Sequence, residues 1–439
     1  MLLVLAASAA LLAQQWQAGA ASVDITPTGP IWMAGYAARN KPSEGVLAPL
    51  HAKALAIDDG KRGRVVFVTT DIIGYPRVVA EQIAIAALKQ HKLERSQLVL
   101  NASHTHSGPI VWPNLASMYF LPDAERAKVE AFTRTFITQV NTVIGAALAN
   151  LKPATVEYSA GAATFAIHRR KPSPTGIKLA PNPDGPTDPL VPTLRVLDGK
   201  QQLTAVLFGY SCHNTTMTGE HYQLNGDYAG FAQAALEQRH PGTVALFATA
   251  CAGDQNPEPR SSLELAQAHG AALADAVDKA LATKGTPVNG RIRSRFQLIE
   301  LPFEPFGRND FEAALKSTNK YEVSRAQLVL KAMDARTISH TLSYPLQAIR
   351  LGSLDMITLG GEVVVDYCLR LRRETANPNL WVMAYSNDVM SYIPTRKQVE
   401  EGGYESKDSF LYYGQPAPLK GESEDIIIDK AKALLKGVR

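Results

Sequence analysis

The chain has 439 residues, 46% of them hydrophobic and 20% charged, and a formal net charge of +4. That composition excludes wholesale disorder and allows a large core, in one big domain or two ordinary ones. The small positive excess is spread without basic runs, which argues against a dedicated nucleic-acid surface, and no obligate protein partner is evident.

Residues 1–15, MLLVLAASAALLAQQ, are apolar and rich in small residues, like the end of a secretory signal, although no Lys or Arg precedes the apolar core. Export to the medium or periplasm is the expectation. No apolar run is long enough for a transmembrane helix. Further on, short β-branched or apolar runs alternate with amphipathic stretches. Val65–Thr70 reads as a strand and Pro76–Gln90 as a helix. Leu98–Asn101 reads as a strand entering NASHTHSGP, and Asp123–Asn150 as a long helix. Residues 171–189, crowded with Pro, Gly and Asp, read as a long loop. Leu203–Tyr210 leads to Cys212-His213-Asn214, and a helix follows Gly226. Val244–Ala248 leads into ACAGDQNP, with a helix over Ser262–Ala282. Residues 286–350 are a possible subdomain. Leu354–Leu359 ends at Gly360-Gly361-Glu362, where a helix is expected to start, and Trp381–Tyr385 ends at Ser386-Asn387-Asp388. This rhythm predicts an α/β layered domain with mixed sheets and flanking helices.

Ligands of open α/β sheets gather beyond the carboxyl ends of strands. Here successive strand ends carry His104 and His106, His213, Asp254, Glu362, and Asp388 with Tyr392. In an extended backbone His104 and His106 would point the same way. Two histidines and a carboxylate are a ligand set of catalytic zinc sites. Taken singly, His213 is equally a hydrogen-bonded core residue, and Glu362 a favourable charge at a helix start. Cys212, Cys251 and Cys368 are odd in number and scattered, so they read as buried thiols. Asn101-Ala-Ser103 and Asn214-Thr-Thr216 match the glycosylation pattern but fall inside the site motifs, so both read as coincidental.

In order along the chain come AGAASVDITP with Met33-Ala34-Gly35-Tyr36, SHTHSGP, YSCHNTTM, NGDYAG, ACAGDQNP, Gly361-Glu362 and YIPTRKQVEEGGYE at 392–405. This series resembles the N-terminal catalytic domain of the neutral/alkaline non-lysosomal ceramidases. The resemblance implies that fold over residues 16–439, without the β-sandwich domain that follows in full-length members. It also implies one zinc ion held by His104, His213, Glu362 and Tyr392. His106, Arg169 and Tyr404 would face the substrate carbonyl and its developing oxyanion, with Arg170 as the alternative to Arg169 after a one-residue shift. Arg396 would be a supporting group, and Asp254 is the candidate general base or water-orienting group. The family loop reads G-D-x-S-P-N; here Asn256 replaces the serine and would touch substrate, which puts ceramide itself in question. The function expected is a zinc-dependent amidohydrolase cleaving an N-acyl, ceramide-like amide, its partner a small-molecule or lipid amide. A zinc hydrolase of another amide or ester, and a non-catalytic zinc-stabilised lipid- or carbohydrate-binding protein, stand beside it.

Overall fold

The computed structural model describes residues 16–439, so the proposed signal segment lies outside the described residues. The alternating runs resolve into three main sheets. The first holds, in order, Leu98–Ala102, Arg64–Thr70, His51–Asp58, Gln17–Asp24 and Lys152–Pro153. The second holds Val244–Thr249, Leu203–Tyr210, Leu190–Leu197, Thr155–Ala162 and Thr286–Pro287. The third holds Ile292–Pro302, Thr341–Leu351, Leu354–Leu359 and Trp381–Met383.

Each of these sheets has one parallel pair at an edge and antiparallel pairing elsewhere. A parallel pair needs a crossover, and helices Arg77–His91, Asp227–Arg239 and Asp366–Glu374 supply the three. The paired strands are apolar almost throughout because both faces are covered. Val65 and Phe67, Ala205 and Leu207, and Leu354 and Met356 turn inward into one core shared by all three sheets. The alternate residues face outward, where helices cover them: Val66 and Val68 in a cluster with Phe136 and Val140, Val206 and Phe208 with Leu273 and Val277, Ile357 and Leu359 with Leu371 and Ile427. Each outer face therefore forms its own core.

Two expectations are corrected here. Residues 171–189 are not one long loop: Ala166–Ser173 and Gly176–Asn182 form a hairpin, with Gln255–Pro257 as its third strand. The second strand is mostly exposed, so no apolar alternation marks it. Residues 286–350 are not self-contained either. Thr286–Pro287 joins the second sheet, and Thr341–Leu351 pairs onward with Leu354–Leu359.

Where the sheets meet, Asn101 acts as a strut. Its Nδ2 donates to Ala384 O at 2.7 Å, Ser386 Oγ at 3.1 Å and Thr249 O at 3.3 Å, and its Oδ1 accepts from Thr249 N at 2.9 Å. The buried Asn214 likewise donates to Ser103 O and accepts from Ala229 N. Both glycosylation matches are thus internal structural residues. All three cysteines are free and buried.

Candidate active site

The loops beyond the three parallel pairs converge. His104 and His106 leave the first sheet, His213 the second, and Glu362 the third. Their geometry is not that of an extended strand. His104 has φ 61, in the left-handed region, so same-face alternation is not what brings the two histidines together. They meet edge to face, with Nε2 atoms 3.1 Å apart. Nor does Glu362 start a helix. Glu362–Val363 is a two-residue strand parallel to Tyr392–Ile393, which sets Glu362 beside Tyr392. Gly253 allows the neighbouring loop to close on it: a Cβ there would lie 2.6 Å from Glu362 O.

The donor chemistry suits a cation. His104 Nδ1 lies 2.6 Å from Ile73 O, and His213 Nδ1 2.6 Å from Ala252 O. A carbonyl only accepts, so both Nδ1 atoms carry the proton and both Nε2 atoms present lone pairs. Each Nε2 lies 3.0 Å from Glu362 Oε2, and Tyr392 Oη is 3.2 Å from His213 Nε2. The Nε2 lone pairs of His104 and His213 face the Glu362 carboxylate and repel it, and a metal ion would relieve that repulsion. His104, His106 and His213 form a group able to hold one, with ligand atoms within 4.8 Å of each other. Burial and the Arg169 charge lower the His213 pKa to about 4, so its ring is neutral near pH 7.

His106, Arg169, Asn256, Tyr392 and Tyr404 line a cleft of about 270 Å³. His106 packs on Tyr36, 4.8 Å between ring centres, and burial pushes its pKa well below the ordinary value. Gly35, with φ 94, lies so near that a Cβ would be 2.4 Å from His106 Nδ1. Arg169 donates to Tyr392 Oη at 3.0 Å, Asn256 Oδ1 at 3.2 Å and Glu405 Oε1 at 2.9 Å. Burial disfavours its charge, but Tyr392 and Glu405 keep it ionised. Arg170 faces the other way, to Glu405, Glu401 and Gly402 O, so the one-residue shift is not what the strand presents.

Asp254 departs from its expected role. Its Oδ1 accepts from Val365 N at 2.9 Å and Gln255 Nε2 at 3.1 Å; its Oδ2 accepts from Gln398 Nε2 at 2.9 Å and faces His168 Nε2 at 3.2 Å. A fully buried carboxylate with all its partners in the protein is a structural anchor, and it is not among the cleft residues. Asp388 pairs with Arg77 at 3.0 Å, and the exposed Arg396 with Asp425 at 2.7 Å. Sequence reasoning missed Glu405, which bridges both arginines, and Tyr413 and Tyr385, whose hydroxyls donate to Glu362 Oε1 and Oε2. The tyrosine-rich stretch 404–413 hinted at Glu405 and Tyr413, and no local signal marked Tyr385.

The sequence pattern of the neutral/alkaline non-lysosomal ceramidase N-terminal domain matches residues 16–276. The chain belongs to this family. A neutral ceramidase of Mycobacterium tuberculosis is 23% identical over 460 residues, covering 85% of this chain and 70% of that protein. One from Drosophila pseudoobscura is 22% identical over 279 residues, covering 58% of this chain and 38% of that protein. Among solved structures, neutral ceramidase from Pseudomonas aeruginosa superposes with a TM-score of 0.74 at 22% identity, over 97% of this chain and 75% of that one. A ceramidase complexed with C2 gives 0.75 at 19%, over 96% and 75%. The mixed α/β architecture is therefore that of the neutral ceramidases.

Proposed function

We propose that this protein is a zinc-dependent amidohydrolase that cleaves an N-acyl, ceramide-like amide, adding water across the C–N bond to give a carboxylic acid and an amine. The observation that carries the reading is the meeting of His104 Nε2, His213 Nε2 and Glu362 Oε2 beside a cleft walled by His106 and Arg169. His104, His213, Glu362 and Tyr392 would hold the ion. Zinc in such a set acts as a Lewis acid and lowers the pKa of water to ~7.

The chain's own residues do the rest. Of the three histidines only His106 is on the cleft wall, which suits contact with the carbonyl. Arg169, fixed by Glu405, and the Tyr404 phenol supply positive charge and a donor to the oxygen that gains charge; loss of one such donor costs ~100- to 1000-fold in rate. Asn256, hydrogen-bonded to Arg169, shapes the pocket wall and favours a second reading, a non-sphingolipid amide or ester. Among the described residues no helix is long and apolar enough to cross a membrane. The apolar opening segment supports action outside the cytoplasm.

Metal analysis with substrate assays tests the proposal. Purified protein should carry about one zinc, chelation should abolish amide cleavage, and zinc should restore it. H104A and E362A should lose the ion, while H106A should keep it and lose kcat. Full metal content in H104A and E362A refutes the site. Zinc without turnover of any amide or ester would leave a binding protein.

A further inference from the structure

The cleft has two kinds of lining. The hairpin contributes apolar Ile167, Leu179 and Pro181, with Leu179 53% exposed at the surface. The segment after Asp254 contributes Asn256, Glu258 and Arg260. Arg169 has Glu405 as its counter-ion. Arg260 differs: half-buried, it makes no hydrogen bond or ion pair with any described residue, and the same holds for the half-buried Glu258 carboxylate. A cation and an anion thus line one small cleft without pairing to each other. A charge partly removed from water gains most from a ligand that pairs with it, and such a site rejects ligands that leave it unpaired.

We infer that the cleft takes N-acyl amides whose amine part bears a single carboxylate, that is N-acyl amino acids, with Arg260 holding the carboxylate. This rests on the hydrolase reading and narrows its substrate class. In such a compound the carboxylate lies one carbon from the amide nitrogen. The carbonyl would face His106 and Arg169 and the carboxylate Arg260, three residues that line the same cleft. The acyl chain leaves along the apolar hairpin residues. Glu258 accepts an N–H or O–H of the amine part and repels a second anion, so monocarboxylates are favoured over dicarboxylates. Hydrolysis consumes one water, breaks the C–N bond, forms a C–O bond and returns the proton to the amine.

Three probes with one acyl chain test this: N-lauroylglycine, its neutral isostere N-lauroylglycinamide, and N-lauroylglutamate. Affinity is measured by displacement on the zinc-loaded protein, and turnover is followed separately. N-lauroylglycine should bind ~10-fold or more tightly than the carboxamide, the scale of one charge-assisted hydrogen bond. R260Q should close that gap and R260K should restore part of it. N-lauroylglutamate should bind ~10-fold more weakly than N-lauroylglycine, with E258Q narrowing the difference. Equal affinity for glycine and glycinamide probes, or a gap that survives R260Q because the metal holds the carboxylate, overturns the assignment. Turnover without the gap leaves the hydrolase reading standing and this inference refuted. A gap without turnover leaves Arg260 as a carboxylate-binding group and refutes cleavage of these amides.

Discussion

Gly35→Ala joins the opening loop of the chain to the chemistry of the cleft. Gly35 has φ 94, and the three nearest atoms to an added methyl all belong to His106: Nδ1 at 2.4 Å, Cγ at 2.5 Å and Cβ at 2.9 Å. Ordinary contact begins near 3.4 Å, so the ring must retreat by about 1 Å. A displacement of that size near reacting atoms costs ~100-fold in rate, and alanine in the left-handed region costs ~1–2 kcal/mol. The proposed ligands His104, His213, Glu362 and Tyr392 are not among the nearest atoms, so the ion should stay. The expected variant keeps about one zinc, unfolds at slightly lower urea, and shows a ~100-fold lower kcat with little change in KM on the N-acyl amide cleaved by the wild type. Unchanged kcat would refute the placement of His106 against the reacting carbonyl. Loss of zinc would show that His106 is itself a ligand.

Glu405 is fully buried between Arg169 and Arg170, at 2.9 and 2.8 Å. E405Q should therefore cost ~3–5 kcal/mol in urea unfolding, since it strands buried guanidinium charge; an unchanged midpoint contradicts this. N256S removes the acceptor 3.2 Å from Arg169 Nη1 and should shift preference toward ceramide at constant zinc content. A wild type that hydrolyses ceramide faster than every other amide tested refutes that reading of Asn256. Burial raises the Asp388 carboxyl to about 6 against the pull of Arg77. The folded protein then holds a proton that the unfolded chain releases near pH 4, so this group's contribution to stability falls as pH rises from about 4 to about 6. Two pKa units correspond to ~3 kcal/mol. The stability of the wild type relative to D388N, both metal-free, should fall by up to that amount across the window. A rise would contradict it.

The strand and helix rhythm was legible because strands covered on both faces are continuously apolar and the crossover helices carry their own periodicity. His51–Asp58 and Leu190–Leu197 do not read as strands from the sequence: one is alanine-rich, the other contains Pro192, and neither shows alternation. The ligand-type residues were visible as polar residues at strand ends, and their ordered motifs carried the family resemblance. Roles that depend on direction were not visible. Nothing in GDQNP shows that Asp254 turns toward Val365 and Gln398, or that Glu362 sits in a two-residue strand. Glu405 meets Arg169 across 236 positions, a contact no local pattern encodes.

The converging ligands have a consequence for how the chain matures. His104 and His213 come from separate sheets, and each already has its Nε2 directed by a backbone carbonyl. Glu362 and Tyr392 come from a third unit. At synthesis rates of ~5–20 residues per second, roughly 290 residues and about 15–60 s separate the first ligand from the last. The first sheet can fold in that interval, but the proposed four-ligand set cannot exist before the strand holding Tyr392 pairs with the one holding Glu362. On the proposed ligand set of His104, His213, Glu362 and Tyr392, metal capture would close assembly. A partly made chain that stops short of Glu362 offers scavenging ions the imidazoles of His104, His106 and His213 without the carboxylate.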